Sequence, residues 1–234
     1  MPADVSPSYL FVPDLGPPGT GLALSGSESH YLARVCRARV GDVATATDGR
    51  GAAAVLRLTS VGVTVRAEVE SIDREERSRR AWMWCGAPEG ARADWLVEKL
   101  AELGVEVWQP LNCERGEWAL GSDRRGRWER LAIAALRQSR GRFLMELREP
   151  VELSMAVTRT PAEAGRWVAS EQGRKGLAPP GGGLSIGVVG PAAGFAPGEQ
   201  KTLEAAGFEP IRLADGRLRS ETAALAWALW WSLG

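Results

Sequence analysis

The C-terminal stretch from Leu184 to Gly234 constrains the fold most, because two predicted strands there each run into a glycine-containing loop with a helix beyond. The first strand is Leu184–Val189, and the loop after it reads Gly-Pro-Ala-Ala-Gly-Phe from position 190. The second strand is Pro210–Leu213, and after Ala-Asp-Gly an apolar helix closes the chain. In α/β sheets such loops lie at the carboxyl ends of strands, where ligands bind. The pattern predicts the cofactor half of an enzyme that depends on a small molecule.

The preceding part of the chain also alternates strand and helix patterns. A buried strand, Ala81–Gly86, is followed by a helix over Asp94–Leu103, a left-handed C-cap at Gly104 and a strand over Val105–Leu111. This order predicts a parallel sheet with right-handed crossovers. The apolar face of the first helix is predicted to carry Trp95, Leu96, Leu100 and Leu103. Further elements are predicted at Asp123–Ser139 (helix), Val151–Ser154 and Trp167–Ser170 (strands), and Gly198–Ala206 (helix).

The N-terminal part has a different pattern, with short strands separated by glycine turns. The strands are Val43–Thr47, Ala52–Ser60 and Val63–Ile72, which together are typical of a small β-barrel. A helix begins near Ser25–Ser29 and is predicted to bury Leu32, Val35 and Cys36. Such a barrel is equally compatible with a recognition module and with a purely structural domain. The charged stretch Asp73–Arg80 has no apolar face and predicts a boundary between domains at 1–73 and 80–234.

Composition excludes several classes of site. The chain has one histidine and three widely spaced cysteines, so a zinc site, a Ser-His-Asp triad and a disulfide framework are implausible. The formal net charge is zero, so no global positive field draws the protein to nucleic acid. The N-terminus lacks a basic-then-apolar signal and no apolar run reaches membrane-spanning length. We therefore expect a reduced cytoplasmic protein that binds no metal and no membrane.

Arginine supplies nearly all of the positive charge, and the segment Arg124–Arg142 is especially rich in it. Arginine forms bidentate bonds to phosphate and stacks on bases. Phosphate binding is one interpretation of this segment, and a solvated helix face is the other; charge alone favours the second.

Seven short motifs, taken together and in order, resemble the RsmE family. The segment from His30 to Asp42 is similar to the family's "HHL..VLR...GD", and residues 48–51 are similar to "DGKG". Further along, residues 98–105 resemble "QKATELGV", 110–115 resemble "PL.TERS" and 127–142 resemble "RW…EQSGR". Near the C-terminus, 190–195 resemble "GPEGGF" and 218–223 resemble "LRTETA". The likeness covers nearly the whole chain.

The resemblance implies both a function and an architecture. Members of this family are bacterial S-adenosyl-L-methionine-dependent enzymes that methylate N3 of a uridine in small-subunit (16S) ribosomal RNA. They have an N-terminal PUA-like β-barrel for RNA, followed by a SPOUT α/β domain with a C-terminal trefoil knot. The knot loops hold the cofactor, and the active unit is a homodimer.

The resemblance also implies roles for individual residues. Arg219 would orient or neutralise the uracil, and Glu221 would position Arg219 or cap the last helix. From the residues alone, both fit equally well a plain helix start with Ser220 as N-cap. Contacts with RNA are implied for Arg34, Arg37, Arg115 and Arg142. Contacts with the cofactor are implied for Val189, Gly190, Pro191, Gly194, Leu213, Ala214, Leu218, Ser220, Thr222 and Ala223.

Several positions depart from the family pattern. Ala192 and Ala193 replace a glutamate and a glycine, and alanine at 193 would be strained if this position needs a positive φ. The family's "LGPRILR" corresponds to residues 213–219. Its first arginine stands one residue later here, at Arg217, and Asp215 introduces an acid. Two alternatives therefore stay open: a diverged SPOUT enzyme that methylates another RNA position, and a dimeric RNA-binding protein without catalysis.

Overall fold

The computed structural model describes residues 8–88, 92–118, 124–178 and 180–234. The chain divides into two compact units. The first comprises Met1–Arg77 and Leu136–Leu144, and the second comprises Ser78–Ala135 and Met145–Gly234.

The first unit contains a five-stranded sheet in the order β1-β3-β4-β5-β2. β1 is parallel to β3, and the other neighbours are antiparallel. Among the described residues, β1 and β2 are the two edge strands of this sheet and do not pair with each other. The predicted β-barrel is therefore a half-barrel sheet. The three predicted strands are confirmed, although the third begins at Arg66 rather than Val63, whose side chain is exposed. The strands are β1 Tyr9–Phe11, β2 Gly21–Ala23, β3 Val43–Thr47, β4 Ala52–Ser60 and β5 Arg66–Arg74.

Helix α1, Gly26–His30, begins where the serine pattern predicts. The Ser25 hydroxyl accepts a hydrogen bond from the backbone N–H of Glu28 at 3.3 Å. The helix then widens into a π-helical turn, Tyr31–Val35. This turn changes the angular spacing of the side chains, so the predicted face is wrong in part: Leu32 is buried, but Val35 is 65% exposed and Cys36 is exposed too.

The second unit is built on a seven-stranded sheet with the order β12-β10-β11-β6-β7-β8, and β9 also pairs with β7. All of its strand pairs are parallel, as predicted. The strands are β6 Arg79–Gly86, β7 Val107–Asn112, β8 Glu146–Leu147, β9 Val151–Glu152, β10 Gly165–Arg174, β11 Gly183–Val189 and β12 Glu209–Ile211.

The remaining helices are α2 Ala93–Glu102, α3 Arg124–Ser139, α4 Leu153–Thr158, α5 Pro197–Ala205 and α6 Ser220–Ser232. The predicted strand over Val151–Ser154 is wrong beyond Glu152, because α4 begins at Leu153. The predicted first residue of α3, Asp123, lies outside the described residues. No helix in the described ranges is long and apolar enough to cross a bilayer.

Helix α2 confirms the predicted left-handed residue after it, since Gly104 has a φ of +75°. The predicted apolar face is wrong at one end. The helix buries Ala93, Leu96, Val97 and Leu100, whereas Trp95 is 46% exposed. The buried residues recur at the three- and four-residue spacing of one helical face, and Trp95 lies off that face.

The C-terminal helix α6 lies directly on strand β11. A Cβ atom added at Gly187 would fall 2.3 Å from the indole ring of Trp227, whose side chain is fully buried. Glycine at 187 therefore allows the helix to approach the sheet at this point, and the helix position depends on it.

Replacing Gly187 with alanine should destabilise the second unit, because neither the backbone of β11 nor the Trp227 ring can move away cheaply. Overpacking of this kind costs about 1–3 kcal/mol of the free energy of unfolding, which urea denaturation would measure. Gly198→Ala is the matched control, since a Cβ there meets nothing within 4 Å. Equal stabilities of the two variants would contradict the close packing.

Candidate active site

A cavity of about 750 Å³ lies at the carboxyl ends of β10, β11 and β12, against the start of α6. Its walls include Ala169 of β10, Val189 at the end of β11, Ile211 at the end of β12 and Ser220. The volume falls within the range of roughly 300–1,000 Å³ that small-molecule sites occupy. Its position is the one that the sequence predicts for a ligand site.

This cavity is the larger of two that adjoin each other, and one of its walls is the loop after β11. The backbone N–H of Gly194 donates to the carbonyl of Pro191 at 2.8 Å, which closes a four-residue turn. Ala192 and Ala193 occupy the central positions of this turn and do not have positive φ, whereas Gly194 has a φ of +74°. A turn of this kind accepts alanine at its centre and favours glycine at its end. The strain anticipated at Ala193 therefore does not arise.

A second wall is the loop from Arg212 to Arg217. The guanidinium of Arg212 donates to the carbonyl oxygens of Ala214 at 3.1 Å and Asp215 at 2.8 Å, so this side chain holds its own loop in shape. The loop is also anchored through its backbone, since the N–H of Arg212 donates to the carbonyl of Arg174 in β10 at 2.9 Å.

Asp215 and Arg217 are the two charged residues by which this loop departs from the family pattern, and each has an ion-pair partner. The carboxylate of Asp215 lies 2.6 Å from the ammonium of Lys175, and this hydrogen bond, with the charge of Lys175, lowers the pKa of Asp215. The guanidinium of Arg217 lies 3.4 Å from the carboxylate of Glu171. Both pairs are exposed, so each contributes little to stability. The pair of Arg217 and Glu171 connects this loop to β10, and the pair of Asp215 and Lys175 connects it to the residue directly after β10.

The structure brings the predicted cofactor residues together, with one exception. Thr222 is exposed on α6 and lines neither this cavity nor the smaller one that adjoins it. The residues that do line the larger cavity are Val189, Gly190, Pro191, Gly194, Leu213, Ala214, Leu218, Ser220 and Ala223.

Sequence reasoning missed the wall that β10 contributes. Ser170, Glu171 and Gln172 line the cavity because β10 lies between β11 and β12 in the sheet. That order is not encoded in any single segment. Sequence reasoning also missed Gln200, Leu203 and Glu204 of α5, which line the cavity too. The available signal was their spacing of three and four residues, which places them on one face of the helix.

A smaller cavity of about 180 Å³ adjoins the larger one. It is lined by Arg219 and Glu221, the two predicted catalytic residues. It shares Ala192, Arg217, Leu218 and Ser220 with the larger cavity. The segment that starts α6 therefore borders both cavities, and the predicted catalytic residues line only the smaller one.

Glu221 is buried in an unusual environment for a carboxylate. Its side chain is 5% exposed, and its Oε1 atom lies 3.1 Å from Nη1 of Arg92. This contact is an ion pair without the alignment of a hydrogen bond. Its Oε2 atom has no hydrogen-bond partner in the part of the chain that the structure describes.

Arg219 occupies the N-cap position of α6, and its side chain makes no capping hydrogen bond. The helix itself begins at Ser220, so Ser220 is not the N-cap that the plain helix-start interpretation assumed. The side chain of Arg219 is exposed, on the rim of the smaller cavity.

The cysteines near this region are not activated thiols. Burial raises the pKa of Cys113 to about 12 and, together with the nearby Cys113 and Glu221, raises that of Cys85 well above its ordinary value. Both thiols are therefore protonated at neutral pH and are poor nucleophiles. Among the described residues no group of three or more His, Cys, Asp or Glu side chains could hold a metal ion.

The predicted RNA-binding arginines are spread over both units. Arg34 and Arg37 are exposed in the first unit, where Arg37 has a φ of +54°. Arg142, also in the first unit, is paired with Asp73 and lies 3.6 Å from Glu75, so its charge is compensated. Arg115 is exposed in the second unit, beyond the end of β7.

Comparisons with known proteins agree with this arrangement. The sequence profile of the family described as "RNA methyltransferase domain" matches residues 75–232, and that of "RNA methyltransferase PUA domain" matches residues 24–66. The chain is 31% identical over 140 residues to Ribosomal RNA small subunit methyltransferase E of Aquifex aeolicus, covering 57% of this chain and 59% of that protein. The Mycobacterium bovis protein of the same name is 28% identical over 241 residues, covering 92% of this chain and 87% of its own.

A solved structure is similar along almost the entire chain. It is the Ribosomal RNA small subunit methyltransferase E from Neisseria gonorrhoeae bound to S-adenosyl methionine, with a TM-score of 0.86, 26% identity and coverage of 95% of each chain. The Aquifex match spans less than two thirds of that relative, whereas the structural match is nearly complete. Since the methyltransferase profile alone matches more than half of the chain, the protein belongs to the RsmE family of RNA methyltransferases.

Proposed function

We propose that this protein transfers a methyl group from S-adenosyl-L-methionine to N3 of a uridine in small-subunit (16S) ribosomal RNA. The observation that carries the proposal is the larger cavity, which the two C-terminal family motifs build at the ends of parallel strands. The similar gonococcal protein is described as bound to S-adenosyl methionine, and other relatives are named as small-subunit ribosomal RNA methyltransferases.

The residues of the larger cavity fit this cofactor. Leu203, Phe208 and Ile211 provide apolar walls for an adenine ring, and the strand-end loops provide backbone N–H and C=O groups. Glu171 and Arg212 offer charges of both signs, which an amino acid with an ammonium and a carboxylate requires. We assign cofactor binding to the predicted residues that line this cavity, Val189, Gly190, Pro191, Gly194, Leu213, Ala214, Leu218, Ser220 and Ala223. Thr222 is left out because its side chain is exposed outside the cavity.

The chemistry needs alignment and control of charge. S-adenosyl-L-methionine, when bound, supplies a methyl group on a sulfonium that is open to in-line displacement. The chain must hold the uracil edge next to the cofactor cavity, which is the position of the smaller cavity. Arg219 lines that cavity and places a positive charge where the uracil gains negative charge as N3 loses its proton.

We assign RNA recognition to the PUA-like domain, residues 1–73, and catalysis to the SPOUT domain, residues 80–234. Arg34, Arg37 and Arg115 are exposed and available to phosphates, and Arg142 would exchange its acidic partners for RNA. The family resemblance supports a trefoil knot at the C-terminal end of the SPOUT domain and a cytoplasmic protein.

The family resemblance also supports a homodimer, and one surface of the second unit fits it. Helices α2 and α6 pack against each other, and each exposes a large apolar side chain, Trp95 on α2 and Leu229 on α6. Exposed apolar groups on adjacent helices are typical of a protein interface.

Wild-type protein should methylate unmodified small ribosomal subunits at a single uridine, and Arg219→Ala should lower turnover by about 10²–10³-fold because one charge-stabilising group is lost. Mass spectrometry of nuclease-digested RNA would identify N3-methyluridine. Lys201→Ala, on the exposed side of α5, is the control and should keep full turnover. Equal methylation of RNA depleted of small-subunit rRNA would contradict the proposed target, and full turnover of Arg219→Ala would contradict the role of the arginine.

Affinity for S-adenosylhomocysteine should depend on the turn after β11 in a position-specific way. Gly194→Ala forces a residue with a Cβ into a left-handed conformation at about 1–2 kcal/mol, so the dissociation constant should rise by up to about 30-fold. Ala193→Gly should leave the affinity nearly unchanged, because Ala193 does not have a positive φ. Calorimetric titration measures both. A gain in affinity from Ala193→Gly that matches the loss from Gly194→Ala would show that the loop binds in another conformation.

A further inference from the structure

We infer that Glu221 accepts the proton from the base nitrogen that is methylated, and that Arg92 positions the Glu221 carboxylate for this task. The inference rests on the proposed function and adds to it the proton acceptor and a positioning residue.

The first observation is the asymmetry of the Glu221 carboxylate. Oε1 lies 3.1 Å from the Arg92 guanidinium, while Oε2 is buried and has no hydrogen-bond partner among the described residues. Buried carboxylate oxygens are normally satisfied, because desolvating a charge without partners is costly. One oxygen is therefore held by the protein, and the other retains the capacity to accept a hydrogen bond from a ligand.

The second observation is the position of this carboxylate. Glu221 supplies the only carboxylate among the described residues that line the smaller cavity. The cavity, at about 180 Å³, has the volume of about six water molecules, which suits a single pyrimidine ring. Its shared wall with the larger cavity places a base held there next to the cofactor residues. The Glu221 carboxylate therefore lies at the boundary where the base nitrogen must lose its proton.

The charged groups on the elements around Glu221 are mainly positive. Arg92 precedes α2, and Arg217 and Arg219 precede α6, so the nearby charges are positive. Strand β6 contributes the protonated thiol of Cys85, and β11 carries no charged side chain. Glu171 of β10 lines the larger cavity and pairs with Arg217.

The proton and the electrons balance without a further reactant. The N3–H bond of the uracil breaks, and its proton bonds to the Glu221 carboxylate. The electron pair left on N3 forms the new N–C bond to the methyl carbon, and the sulfur keeps the pair of the broken C–S bond. The products are N3-methyluridine, S-adenosylhomocysteine and a protonated Glu221, which then releases its proton to water.

The test compares Glu221→Gln, Arg92→Ala and Arg92→Lys with wild type and with Glu129→Gln, a control in an exposed ion pair on α3. Glu221→Gln should lose about 10²–10⁴-fold in turnover, the range of general base catalysis. Its rate should recover steadily as pH rises, because hydroxide then ionises N3 directly. Arg92→Ala should lower turnover because the Glu221 carboxylate loses the contact that positions it. Arg92→Lys keeps a cation at this position and should restore most of that turnover.

Stability gives a readout that does not depend on turnover. Glu221→Gln removes a buried charge, and the amide oxygen of glutamine can still face the buried Nη1 atom of Arg92. The urea midpoint of this variant should therefore not fall. Arg92→Ala leaves the buried carboxylate alone, so its urea midpoint should fall. A purely structural ion pair would instead lower the midpoint in both variants, and that result would overturn the inference.

Two further outcomes separate the inference from the proposed function. If wild type methylates uridine and Glu221→Gln keeps its turnover and pH profile, the inference fails while the proposed function stands. If wild type transfers no methyl group to any RNA, the proposed function fails. The inference is then judged by binding: wild type should prefer a uridine RNA over the N3-methyluridine RNA by about tenfold, and Glu221→Gln should lose that preference. Equal preference in both proteins would overturn it.

Discussion

The contact of α6 with β11 at Gly187 and Trp227 determines where both cavities form. Because the helix lies directly on the strand, its first residues meet the carboxyl ends of the parallel strands. The C-terminal end of α6 is fixed by Arg79 at the start of β6. Its guanidinium lies over the ring of Trp231 at 4.8 Å and donates to the carbonyls of Trp231 and Ser232. These contacts hold the second half of the helix on the sheet, and the helix axis then directs the segment from Leu218 to Ala223 towards the two cavities.

The loops of the site show that residue identity and backbone geometry contribute separately. The alanines at 192 and 193 remove a charge and a glycine relative to the family pattern, yet the turn forms without a positive φ at either alanine. Asp215 and Arg217 change the charge pattern of the neighbouring loop, and each has an ion-pair partner. The departures therefore keep the shape of the larger cavity and alter its surface charge. This favours a working cofactor site over a protein that has lost catalysis.

Much of the fold could be predicted from local patterns. Continuous apolar runs gave strands such as β6 and β11, and Gly104 ended α2 as its sequence predicted. The Val151–Ser154 prediction was wrong because a short apolar run does not distinguish a strand from the first turn of a helix. Trp95 was misplaced because a large apolar residue was assumed to face the core. The π-helical turn after α1 has no sequence signal of its own.

The candidate site was predictable to the extent that it lies in contiguous motifs. The loops after β11 and before α6 form a large part of the wall of the larger cavity, and both were visible in the sequence. Arg92 and the β10 wall were not, because they reach the site through strand order and helix packing. Arg142 was assigned to RNA from its motif, and its pairing with Asp73 and Glu75 depends on contacts distant in sequence.

The most direct test of the account is a calorimetric titration of S-adenosylhomocysteine into the purified protein. The account predicts saturable binding at one site per chain, with a micromolar or tighter dissociation constant. Absence of binding to a protein that circular dichroism shows to be folded would contradict it, because the cavity would then not be a cofactor site.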